Sequence, residues 1–92
     1  MNGRIESYIH SDSITKNKGG ALVKVTSDTD FAAKTESMQK FSLKVAKYAY
    51  AANSTVWAEI IELFPELEAE RVSVAKELRE KIEVVEISVM KL

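Results

Sequence analysis

Between Arg4 and His10 the chain alternates, with Ile5, Ser7 and Ile9 on one side and Glu6, Tyr8 and His10 on the other. A period of two predicts a strand. The following stretch SDSITKNKG, Ser11 to Gly19, is polar and runs into Gly20, which predicts a longish hairpin loop closed by the glycine pair. Ala21 to Val25 (ALVKV) is rich in β-formers and predicts a second strand, antiparallel to the first.

The period then changes. Met38, Phe41, Val45, Tyr48, Ala49 and Ala52 recur at steps of three and four, so they share one face of a helix. Lys40, Lys44 and Lys47 lie opposite and read as a solvated face. Asn53-Ser54-Thr55 ends this helix, with Ser54 or Thr55 suited to cap the next, VWAEIIEL (Val56 to Leu63). Pro65 stops that segment and starts a third, whose first turns carry Glu66, Glu68 and Glu70 at the positive end of the helix dipole. Leu67, Val74, Leu78 and Ile82 mark its inner side, and Glu77 and Lys81 are spaced as a surface ion pair. After Lys81 the chain becomes β-branched (Ile82, Val84, Val85, Ile87, Val89), which predicts a third strand over Glu83 to Met90. The order β-β-α-α-α-β predicts an α+β fold, a three-stranded antiparallel sheet with helices packed on one face. One domain accounts for residues 1–92, and the last strand is expected at a sheet edge.

Composition narrows the function. A chain of 92 residues builds one modest core, and 46% apolar with 29% charged residues is the balance of a soluble globular domain. A net charge of −1 gives no whole-chain field for nucleic acid or anionic membrane, so Lys16, Lys18 and the Lys40 row support such binding poorly. Cysteine is absent, which excludes disulfides, thiolate metal sites and a cysteine nucleophile. With no apolar leader in MNGRIESYIHSDS and no run of the ~20 apolar residues a spanning helix needs, the expected location is the cytoplasm. His10 is the single histidine and has no nucleophile beside it in sequence; Asp28 and Asp30 fall short of a metal-ligand set. Neither enzyme chemistry nor a cofactor is expected.

One stretch resists this bland reading: SDTDFAAKTE, Ser27 to Glu36. An Asp or Thr before a helix is ordinarily its N-cap, and a lone phenylalanine is ordinarily packed. The alternative is that Phe31 is offered to a partner.

Thr29 to Lys34, TDFAAK, closely resembles the T-D-F-V-A-R or T-D-F-V-A-K signature of the elongation factor Ts family. Other blocks keep the family's order. SYIH (Ser7 to His10) is similar to the strand that opens a core subdomain, GALVKV (Gly20 to Val25) to G-V-L-V-E-V, and EAERV (Glu68 to Val72) to E-E-E-R-V. LREKIEV (Leu78 to Val84) falls where the family has I-G-E-N-I-N-I, with Arg79 in place of the glycine. The resemblance runs from Arg4 to about Ile87. It implies one core subdomain, standing without the family's N-terminal helical module or a second subdomain. It also implies a partner, elongation factor Tu, from which the family promotes release of GDP. In the family an Asp-Phe pair enters the partner near its magnesium and switch region, a role that falls here on Asp30 and Phe31, with Leu78 as a second insertion and His10 as a further candidate contact. A homodimer through the sheet edge is expected as well. A module that holds elongation factor Tu without exchange is the alternative function.

Overall fold

The computed structural model describes residues 2–11 and 18–91. Most of the polar loop between the first two strands, Lys16 included, therefore lies outside the described residues. Three strands, β1 (Asn2–His10), β2 (Gly19–Ser27) and β3 (Glu83–Lys91), form one sheet in the order β1-β2-β3, antiparallel throughout. Between β2 and β3 run four helices: α1 (Asp30–Ala33), α2 (Glu36–Ala52), α3 (Trp57–Leu63) and α4 (Glu66–Leu78). The α+β arrangement read from the pattern is the one observed, with a short extra turn, α1, ahead of the first long helix. No described helix is long and apolar enough to cross a membrane.

The core sits between the sheet and α2. Strand β2 is central and gives Ala21, Val23 and Val25 to the helical side. Helix α2 covers them with Met38, Phe41, Val45, Ala46 and Ala49, all fully buried, and Ile60, Leu67 and Ile82 close the remaining side. Small residues at positions 46 and 49 let the α2 backbone approach the strands closely. Thr35 caps this helix by accepting from the Met38 amide at 3.3 Å, and Asn53 ends it in the left-handed conformation (φ 54°). The third strand keeps its apolar side chains inward through an irregularity. Lys24 pairs with Glu86 but Val25 pairs with Val84, so Val85 is extra on β3. Val84 therefore packs on the core along with Ile87 and Val89, while Val85 is left exposed.

The alternation of β1 left its facing open, and the structure turns its isoleucines away from the helices: Ile5 and Ile9 are exposed, and Glu6, Tyr8 and His10 are the half-buried side. Several local expectations are corrected. Gly19 and Gly20 are not the turn but the first residues of β2, paired with His10 and Ile9. Their lack of a side chain serves close approach. A Cβ on Gly19 would lie 2.6 Å from the Met90 carbonyl oxygen and against the Tyr50 ring, and one on Gly20 2.5 Å from the Tyr8 carbonyl oxygen. Neither Ser54 nor Thr55 is the N-cap of α3; Val56 holds that position, and the Ser54 hydroxyl accepts from the Val56 amide while donating to the Glu59 carboxylate. Glu77 and Lys81 do not pair, because α4 stops at Leu78 and turns the chain away. Glu77 instead accepts from the Ser37 hydroxyl, and Lys81 pairs with Glu83 at 3.1 Å.

Candidate functional site

Strand β2 ends at Ser27, and Asp28 and Thr29 lead into α1. This short helix is made by its cap and its alanines. Thr29 is extended (φ −127°, ψ 154°) and its hydroxyl oxygen accepts from the Ala32 amide at 3.2 Å, so Thr29, not Asp30, is the N-cap. Ala32 and Ala33 fill the inward side of the turn and are buried. Phe31 has no inward place left to take. Phe31 is 81% exposed, more than any other large apolar residue among those described. Asp30 precedes it on the same surface and pairs with Lys34 at 3.0 Å.

The backbone carrying Phe31 is tied on several sides. From β1, the Asn2 amide group donates to the Asp28 carbonyl at 3.0 Å and the Arg4 guanidinium to the Ala33 carbonyl at 3.0 Å. Within the loop, the Ser27 hydroxyl donates to the Thr29 carbonyl at 2.8 Å. From the turn joining α4 to β3, Glu80 accepts from both the Thr29 amide (2.9 Å) and the Thr29 hydroxyl. In return, the Lys81 amide donates to the Asp28 carboxylate at 3.0 Å. Beyond α1, the Thr35 hydroxyl donates to the Ala32 carbonyl at 2.8 Å and caps α2.

The α4–β3 turn is itself well fixed. Arg79 adopts the left-handed conformation (φ 57°, ψ 41°), the geometry a helix-ending glycine takes most easily. Arg79 therefore occupies a backbone conformation that glycine, the residue of the similar elongation factor Ts motif, adopts at less cost. Arg71 braces the same turn from α4: it holds the Glu68 carboxylate through two nitrogens and donates to the Ile82 carbonyl at 2.8 Å. Hydrogen bonds from Arg71 hold the Glu68 carboxyl below the usual carboxylate range against the opposing effect of burial, and the same pairing raises Arg71. Asp28, Lys76, Arg79, Glu80 and Lys81 border an open groove of about 470 Å³ beside this turn, a surface that mixes both signs of charge.

Of the four residues singled out from the sequence, Asp30 and Phe31 are adjacent on this surface. Leu78 ends α4 at the start of the same turn, half-buried and packed against the core. His10 is elsewhere. It lies at the far end of the nine-residue β1 from Asn2, which pairs with Ser27, a separation of about 27 Å at the usual strand rise. There it stacks on Tyr50 (centroids 4.9 Å apart) and its Nδ1 is 2.8 Å from the Tyr8 hydroxyl. Arg4, Asp28 and Glu80, which hold the Phe31 turn, were missed by sequence reasoning. Their partners are 29, 53 and 51 residues away, and no local pattern signals such pairings.

No protein-family model matches the chain. Elongation factor Ts of Synechococcus sp. (strain JA-3-3Ab) is 36% identical to it over 65 residues, which is 71% of this chain and 22% of that protein. The chain therefore spans less than a quarter of the length of the curated relative it matches. This similarity supports a distant, elongation factor Ts-like relationship.

Proposed function

We propose that this chain binds elongation factor Tu and promotes release of its GDP by inserting Asp30 and Phe31 near the magnesium and switch region. The observation that carries the reading is the 81% exposure of Phe31 on a turn whose backbone is otherwise fastened in place. Leaving a phenyl ring in water forgoes ~1.5–3 kcal/mol, which a pocket on a partner recovers. That is one to two decades in affinity. Because the turn is already ordered, docking loses little conformational entropy. Exchange requires the insertion to favour the nucleotide-free partner, since each ligand weakens the other by the same factor. Fluorescent GDP release from purified elongation factor Tu, with and without this protein, tests the reading. Accelerated release is expected. Tight binding with unchanged release would leave a sequestering or recruiting module instead.

The expected homodimer is carried forward with a different surface. β3 is at a sheet edge, but Glu83, Glu86 and Lys91 place charge along it. The apolar side chains lie on the open face of the sheet, where Ile5, Ile9, Leu22 and Met90 are exposed. Lys24 and Glu86 are cross-strand neighbours there, so a second copy related by a two-fold axis can meet each charge with its opposite. A face-to-face pair of sheets is the arrangement we infer.

A further inference from the structure

We propose that Glu80 is a positioning residue for Phe31, an inference that rests on the proposed exchange function. A four-residue helix does not sustain itself, so the direction in which α1 presents its ring is set from outside. Thr29 is where that control enters. Its hydroxyl oxygen receives the Ala32 amide while its hydroxyl proton and backbone amide both go to the Glu80 carboxylate. One side chain thus fixes the cap, and the cap fixes the turn.

The exchange between the two loops is reciprocal. Glu80 takes the Thr29 amide, and Asp28 takes the Lys81 amide, so each loop gives a carboxylate to the other's backbone. Carboxylates accepting from backbone N–H groups make the stronger class of hydrogen bond. Glu80 is a firm anchor because its own amide donates to the Ala75 carbonyl at 3.1 Å, closing the end of α4. The surface that carries Phe31 is thereby joined to the turn that carries Leu78 and Arg79, and the two present one rigid front. Glu80 does not touch the partner in this scheme; it acts through Thr29.

The test compares Glu80→Ala and Glu80→Gln with wild type by amide hydrogen exchange and by GDP release from elongation factor Tu. In Glu80→Ala the Thr29 and Ala32 amides should exchange at least about tenfold faster, because two hydrogen bonds to a charged acceptor are lost, with the β2 amides unchanged. The maximal rate of GDP release should fall by a similar factor. Glu80→Gln retains an acceptor for the Thr29 amide and should restore most of both. In a Phe31→Ala background Glu80→Ala should add nothing further to the loss. Unchanged Thr29 and Ala32 exchange in Glu80→Ala overturns the inference, as does an equal fall in GDP release with Phe31 already removed. Wild type that leaves GDP release unaltered while Glu80→Ala loosens the turn would overturn the exchange function and leave the clasp standing.

Discussion

Thr29 and Asp30 are neighbours with separate duties. Thr29 closes the first turn of α1 with its hydroxyl, whereas Asp30 is an exposed helix residue with an exposed lysine partner. Thr29→Ala should therefore lower stability by ~1 kcal/mol. Asp30→Ala should lower it by less than ~0.5 kcal/mol, since surface ion pairs contribute little. Urea unfolding of the two variants decides, and a larger loss for Asp30→Ala would contradict the assignment of the cap. The sequence alone left Phe31 between core and surface. The following Ala32 and Ala33 resolve it, because two small residues can occupy the tight inward side of the turn and a phenyl ring beside them cannot. That choice depends on how closely α1 approaches β1, a distance with no local signature.

Among the elements, α2 was the most legible, because its apolar stripe and its cap residues point the same way. β1 was legible as a strand but not in its facing. Alternation gives two sides without saying which is inward, and here the isoleucines face out. The end of α4 depends on Arg79 entering the left-handed region and on the Arg71 brace, so a helix pattern continued past Leu78 misplaces Lys81. This brace carries a pH dependence. Glu68 is held below its ordinary value of 4.5 in the folded state, chiefly by its hydrogen bonds to Arg71. The unfolded chain therefore takes up a proton there first, and the contribution is present above pH 4.5 and lost as pH falls through the folded value. Glu68 is partly open to solvent, which keeps the effect under about 1 kcal/mol. Glu68→Gln should be less stable than wild type at neutral pH, with the difference shrinking under acid. A difference that grows as pH falls would contradict this reading in unfolding curves taken across the range.

At the scale of the whole molecule, the sheet has one covered and one open face, and the open one carries Ile5, Ile9, Leu22 and Met90. If a second copy covers it, Leu22→Glu should shift sedimentation from dimer to monomer at micromolar concentration, with the fold intact because Leu22 is half-exposed at the outset. Wild type that sediments as a monomer well above that concentration would rule the dimer out. The architecture itself was readable from the changes of period along the chain. What was not readable was its use of distance: residues at positions 2, 4, 80 and 81 converge on a single turn and hold it while its phenylalanine stays in solvent. Phe31→Ala should leave stability within about 0.5 kcal/mol of wild type, as exposed substitutions do. The decisive measurement is fluorescent GDP release from elongation factor Tu driven by wild type and by Phe31→Ala at equal concentration. Wild type should accelerate release and Phe31→Ala should lose most of that acceleration; equal acceleration by both would contradict the role assigned to the exposed ring.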